Sequence, residues 1–403
     1  MIFLCQVFHP DYQATSQVLS ELMFELARCG QAVHVVCGWP LASPDVMAVG
    51  VPKTERLNGL QIVRAGFRVN FKRNLFLRGL GYGSYLGGSM RRLLFCSRGS
   101  FVLGCTNPPL MPALIWCASF FRQQAYVLLL HDVYPDGLVA LGKIKRGGLL
   151  DRLWTAVNRR AFQRAERILV LGRDMAALVE RRYGCRPEAV RYIPHWSQNE
   201  LSPPARPEET RLWLRLGVNG DFVVQYSGNM GLWHDINTLV RAAHHLIEHK
   251  HIKFLFIGDG RRKSEARALA EQLRVTNITW LAFQPKETLN DSLACCHLAL
   301  ISQREGLQGV AVPCKLYGIL ASGRGVMGLV PSDSETAMVI NEERCGRVFK
   351  PDDAPGLAAA ILDLSNRPDE VRQMGERARS AYLQKYTLHH AVDRFSEAIS
   401  GLL

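Results

Sequence analysis

The chain has 403 residues, 48% of them apolar and 21% charged. That composition is typical of a globular protein and excludes a disordered, collagen-like or small disulfide-stapled one. The net charge of +13 is carried almost wholly by the first half: residues 1–200 hold 25 basic and 13 acidic side chains, and residues 201–403 hold 24 and 23. The length predicts two domains. The charge asymmetry predicts that the first one meets something anionic, whether nucleic acid, a lipid headgroup surface or a phosphorylated substrate.

Residues 2–8 read as an apolar strand, with no basic flank of the kind that precedes a secretory leader. A helical stretch follows, with Val18, Leu22 and Leu26 four residues apart, and Gly30 ends it before a strand at 32–37. This is a βαβ unit. Strands are expected at 62–65, 101–105 and 125–130, a helix at 151–165, a strand at 167–171, a helix at 175–182 and a strand at 190–193. Between the early strands, residues 51–100 carry ten bases against one acid, Glu55. There Arg68, Lys72, Arg73 and Arg78 alternate with Phe67, Val69, Phe71, Leu75, Phe76 and Leu77, and Arg91 and Arg92 precede Leu93, Leu94 and Phe95. Mixed bases and large apolar groups suit an interfacial segment on anionic lipid, at about 1 kcal/mol per base; an ordinary helix with a solvated basic face reads the same way. Residues 99–121 contain no charge and are long enough to span a bilayer, but Asn107-Pro108-Pro109 interrupts them. A strand, a turn and a buried helix account for that stretch equally well.

Residues 197–211 are polar and proline-rich, a linker or domain edge. The alternation then restarts, with strands at 222–226, 253–257, 278–281, 298–302 and 325–329 and helices at 235–248, 263–273, 286–294 and 314–321. The end of the chain, 357–364 and 371–403, reads as mostly helical. Two successive series predict an α/β fold of two doubly wound domains, whose ligands sit at the C-terminal ends of the strands. The eleven cysteines are odd in number and show no C-x-x-C spacing, which predicts free thiols rather than a disulfide framework or a zinc site.

Three strand-to-helix turns carry candidate chemistry. Ser227-Gly228-Asn229, after Tyr226, offers small residues for close approach of a sugar or phosphate, and a tight turn reads equally well. Gly258-Asp259-Gly260 lets backbone approach a ligand or simply punctuates the chain; it lacks the third glycine of a dinucleotide fingerprint. In the third, Glu305-Gly306-Leu307 leads to Lys315: a carboxylate that could accept from sugar hydroxyls, although a single loop glutamate is usually just solvated, and a cation that could neutralise a departing diphosphate. No metal-ligand spacing and no nucleic-acid recognition motif is visible.

The order of segments resembles the family 4 (group 1) retaining glycosyltransferases. His131-Asp132-Val133-Tyr134-Pro135-Asp136, with Leu138-Val139-Ala140-Leu141-Gly142, is similar to the "D-hydrophobic-W-P-E…LG" segment of a subgroup that assembles bacterial surface polysaccharides of the colanic acid and O-antigen type. Ile193-Pro194-His195-Trp196 resembles "I-P-N-W", 226–231 resembles "Y-S-G-N-x-G", and 312–324 resembles "P-S-K-x-Y-x-x-L-A-x-G-R-P". Gly318 stands where many members carry a second glutamate, and Asn229 with Trp233-His234-Asp235 replaces the usual Arg and Lys-Gly pair, leaving a diphosphate to Lys315, backbone N–H groups, Arg261 or Arg262.

The resemblance implies the GT-B fold of two facing Rossmann-like domains: an acceptor domain over 1–196, a linker over 197–211, a nucleotide-sugar domain over 212–385, and a C-terminal helix over 386–403 returning to the first. It implies transfer of a sugar, with retention, from a UDP-linked donor to a polyprenyl-diphosphate-linked saccharide on the cytoplasmic face of the inner membrane. No further cofactor or metal is implied. Ser227, Gly228, Asn229, Gly258, Phe283, Gly306, Leu307 and Lys315 would hold the donor. Glu305 would hold its hydroxyls, and His131 or Asp132 would orient the acceptor or the reacting sugar. An epimerase of nucleotide sugars, or an inactive scaffold of similar fold, shares this pattern.

Overall fold

The computed structural model describes residues 1–11, 13–40, 50–68, 75–96, 101–197, 206–218 and 220–402. Residues 198–205 of the expected linker, and Val69, Phe71, Lys72 and Arg73 of the basic segment, lie outside these. The chain divides into two compact units: Met1–Pro194 with Gly309–Ala311 and Leu388–Leu403, and His195–Gln308 with Val312–Thr387.

The first unit is built from β1 (Ile2–Leu4), α1 (Ala14–Arg28), β2 (His34–Cys37), β3 (Thr54–Leu57), β4 (Leu60–Arg64), α2 (Leu75–Leu94), β5 (Val102–Cys105), α3 (Met111–Arg122), β6 (Tyr126–Leu130), α4 (Asp136–Ala140), α5 (Leu149–Arg164), β7 (Arg167–Val170), α6 (Arg173–Tyr183) and β8 (Val190–Tyr192). They form one sheet in the order β3-β4-β2-β1-β5-β6-β7-β8, parallel except for the β3–β4 hairpin. Its central strands are buried on both faces, as the unbroken apolar run of β6, Tyr126–Leu130, requires. The uncharged stretch at 101–121 is β5, a turn and α3. Among the described residues no helix is long and apolar enough to cross a membrane.

The basic segment is in part α2. Its inner face carries Tyr85, 1% exposed and donating to the carbonyl of Val36 at 3.0 Å, and Leu93, also 1% exposed, while Arg91 and Arg92 face solvent.

The second unit comprises α7 (Arg211–Leu216), β9 (Phe222–Ser227), α8 (Ile236–His245), β10 (Ile252–Ile257), α9 (Lys263–Gln272), β11 (Ile278–Leu281), α10 (Leu289–Ala294), β12 (Leu298–Ser302), α11 (Lys315–Ala321), β13 (Gly325–Leu329), α12 (Glu335–Glu342), β14 (Gly346–Phe349), α13 (Ala354–Ser365) and α14 (Pro368–Lys385). The last helix, α15 (Leu388–Ile399), groups with the first unit, packing on α1 and β7. The second sheet is fully parallel in the order β11-β10-β9-β12-β13-β14. This is the 3-2-1-4-5-6 order of a doubly wound fold, and the strand order reverses between β9 and β12. Its core joins Tyr226, Phe254 and Phe256 of the sheet to Leu239 and Val240 of α8 and Leu357 and Ile361 of α13. Truncating a phenylalanine in such a core costs about 3–5 kcal/mol.

Candidate active site

The strand order reverses between β9 and β12, and the C-terminal ends of two such strands are the usual ligand position in open parallel sheets. Lys315 stands there, on the first residue of α11. Its Nζ donates to the Tyr226 hydroxyl at 2.6 Å and lies 4.0 Å from the centre of the same ring. The hydroxyl in turn donates to the carbonyl of Asn229 at 2.8 Å. A Cβ on Gly228 would come within 3.4 Å of Nζ. Among the described residues no carboxylate pairs with Lys315. Burial therefore disfavours its charged form and lowers its pKa from 10.5 to about 7.

The segment that replaces the family's Arg and Lys-Gly pair adds no second cation. His234 shares its Nδ1 with the carbonyl of Ser302 at 2.8 Å; burial and the neighbouring Lys315 hold its ring neutral, lowering its pKa to about 3. Asp235 caps α8 by accepting from the N–H of Thr238 at 3.2 Å. Arg262 is paired with Glu265 at 2.9 Å.

The other residues singled out from the sequence divide into two groups. Ser227 ends β9 and Gly228 follows it against Lys315, while the Asn229 side chain lies against Gly231 and Gly260. Glu305 follows β12 and is exposed, with no ion pair among the described residues. Gly306 next to it has φ 81°, and Leu307 is 1% exposed with its carbonyl accepting from Gln303 at 3.0 Å. Gly258 has a sufficient structural reason to be glycine: with φ 132°, a Cβ would lie 2.0 Å from the carbonyl oxygen of Gly228. It lets the ends of β9 and β10 close together. Phe283 lies two residues beyond β11, the edge strand, and is 58% exposed.

His131 and Asp132 belong to the first unit, directly after β6. Both backbone N–H groups donate to the Thr106 hydroxyl, at 3.1 and 3.3 Å. Burial lowers the His131 pKa to about 4 and raises that of Asp132 to about 6. Within the same unit Asp132 bridges Ala311, Val133 donates to the carbonyl of Val310 at 2.9 Å, and Gly309 donates to the Asp174 carboxylate at 2.8 Å. A Cβ on Gly309, whose φ is 73°, would sit 2.7 Å from the Asp174 carbonyl oxygen. Nothing in the sequence marks Asp174: its partner is 135 residues away, and a lone aspartate opening a helix looks like an ordinary first-turn acid.

Two doubly wound Rossmann-type units in one chain make up the GT-B class of fold. Two family models match the sequence, "Glycosyl transferase 4-like domain" over residues 14–196 and "Glycosyl transferases group 1" over residues 216–381. The chain belongs to the family 4 (group 1) glycosyltransferases. It is 28% identical over 312 residues to "Probable glycosyltransferase WbjE" of Pseudomonas aeruginosa, covering 76% of each chain. It is 27% identical over 203 residues to "Putative colanic acid biosynthesis glycosyl transferase WcaI" of Escherichia coli, 49% of each. The fold is shared with HepE of Anabaena, crystallised with UDP, at a TM-score of 0.72, 14% identity and 99% coverage of both chains.

Proposed function

We propose that this chain transfers a sugar, with retention, from a nucleotide-sugar donor to a lipid-linked saccharide in bacterial surface-polysaccharide synthesis, without a separate cofactor. The observation that carries this reading is Lys315: an amine that pairs with no carboxylate among the described residues, at the strand ends where a doubly wound sheet takes its ligand. Breaking the anomeric bond develops positive charge on the sugar and negative charge on the departing diphosphate. A fixed cation and N–H donors at that diphosphate stabilise the transition state more than the ground state, and removing one such donor costs about 3–4 kcal/mol. Glu305 then holds donor hydroxyls, and Ser227, Gly228, Asn229, Gly306 and Leu307 line the approach. Asp132, ionised above pH of about 6, orients an acceptor hydroxyl with His131. The similarity to WbjE supports glycosyl transfer and that to WcaI, named for colanic acid biosynthesis, supports the polysaccharide assignment; the UDP bound to HepE supports a UDP-linked donor.

Contact with an anionic membrane surface is part of the same proposal. On the first unit, α3 and α5 pack side by side. They expose Phe120, Phe121, Leu149, Leu150 and Leu153, and the Arg164 guanidinium lies 5.3 Å from the Phe120 ring. Apolar groups framed by arginines suit a lipid headgroup layer.

The test is incubation with a panel of nucleotide sugars and a membrane extract, followed by mass analysis of the lipid fraction. One hexose added to a lipid-linked species from one donor is the expected result. Donor consumption without any acceptor product would favour an epimerase, and no donor binding at all would favour a scaffold.

A further inference from the structure

Among the described residues, the groups that face Lys315 are neutral. From β9, Tyr226 supplies its ring face and hydroxyl; from the segment before α8, His234 supplies a neutral imidazole; from its own loop, Cys314 is a titratable neighbour whose charge would favour the ammonium. Tyr226 is itself fully buried, and burial drives its phenol far from ionisation. The phenol proton is committed to the Asn229 carbonyl at 2.8 Å, so an oxygen lone pair is left facing Nζ at 2.6 Å. The tyrosine thus fixes the position of Nζ in two ways, by an accepted hydrogen bond and by cation–π attraction, without supplying a negative charge.

We propose that Tyr226 is a positioning residue that holds Lys315 in a cage without a carboxylate, so that a bound diphosphate supplies the missing counter-charge and Lys315 gains a proton from solvent as it binds. This rests on the reading of Lys315 as the diphosphate-binding cation. The lone pair of the neutral amine accepts a solvent proton, and the ammonium donates to a non-bridging phosphate oxygen. No other bond forms or breaks. An aspartate in place of Tyr226 would keep the lysine charged at all times but would also neutralise it, leaving less attraction for the ligand. The neutral cage leaves that attraction to the ligand.

The experiment is calorimetric titration of the full chain with UDP, GDP and ADP, at pH 6 and pH 8, in paired buffers of different ionisation enthalpy, corrected for the ligand's own ionisation. The wild type should take up more than half a proton per bound nucleotide at pH 8 and much less at pH 6. Lys315→Arg should bind without proton uptake. Tyr226→Phe, which keeps the ring, should bind roughly tenfold or more weakly, as loss of a charged hydrogen bond implies, and should take up more protons at pH 7 than the wild type. Wild-type binding with no proton uptake at pH 8, or a Tyr226→Phe variant unchanged in affinity and proton count, overturns the inference alone. Unchanged nucleotide affinity in Lys315→Met, or no binding of any of the three nucleotides, overturns the diphosphate reading beneath it.

Discussion

The Tyr183 hydroxyl donates to the Asp136 carboxylate at 2.6 Å, inside the first unit. Asp136 is 1% exposed and also receives Arg182 at 3.0 Å and Arg146 at 2.8 Å. The last acid of the His131–Asp136 motif therefore ties α4 to α6 rather than facing a substrate. Asp136→Ala leaves Arg182 and Tyr183 short of their partner and should destabilise the unit by about 3–5 kcal/mol. Thermal unfolding measures that loss. Donor affinity well below the transition should stay within about twofold, since the carboxylate is fully occupied. A normal Tm with abolished turnover would move Asp136 into the catalytic machinery.

Lys315 links function to a stability cost. Its pKa in the fold, about 7, lies below the ordinary 10.5, so between those values the unfolded chain holds the extra proton. Stability from this group therefore rises with pH from about 7 to about 10.5, and the penalty is fully present below 7. Lys315→Met should raise the Tm of the ligand-free protein at pH 6 by at least about 2 °C, while turnover falls at least about a hundredfold. A lowered Tm at pH 6 would mean that the lysine is held by charge pairing after all.

His131 and Asp132 titrate in opposite senses. The histidine, at about 4 instead of 6.5, makes stability rise with pH across that window; the aspartate, at about 6 instead of 3.8, makes it fall from about pH 4 to 6. The two largely cancel in the wild type. Asp132→Asn should expose a Tm that climbs from pH 4 to 6.5, and His131→Asn one that declines from pH 4 to 6. Parallel Tm profiles in the two variants would refute the burial assigned to both groups.

Glycine at 258 is required by backbone contact, so Gly258→Ala should cost more than the roughly 1 kcal/mol of a strained backbone alone. It forces apart the β9 and β10 ends that carry Gly228. Unfolding in urea should show a lower midpoint, and donor affinity should fall with it. An unaltered midpoint accompanied by weaker donor binding would instead make Gly258 a direct ligand contact.

Much of this architecture is written locally. Apolar runs such as Tyr126–Leu130 and Leu298–Ser302 mark strands buried on both faces, and the helices between them carry their own periodicity. What was not legible lacks such a signature. The edge strand β3, Thr54–Leu57, is half exposed and polar, and only the Asn58-Gly59 turn that joins it to β4 announces the hairpin. The edge strand β14 carries little sequence signal, since Gly346–Phe349 is short, carries Arg347 and is nowhere fully buried. The segment Leu75–Leu94 is glycine-rich and basic, so its packed face shows only through Tyr85 and Leu93. At the site, Glu305 and Lys315 were visible because their residue types are chemical. Tyr226 was visible only as a letter in a motif, since its role depends on Lys315, 89 residues further on.

The account turns on where the anion goes. A crystal structure of the full chain soaked with the nucleoside diphosphate that binds it should show a phosphate oxygen within about 3 Å of Lys315 Nζ, against the ends of β9 and β12, with Tyr226 still beneath the ammonium. A nucleotide seated elsewhere, with Lys315 untouched, would contradict it.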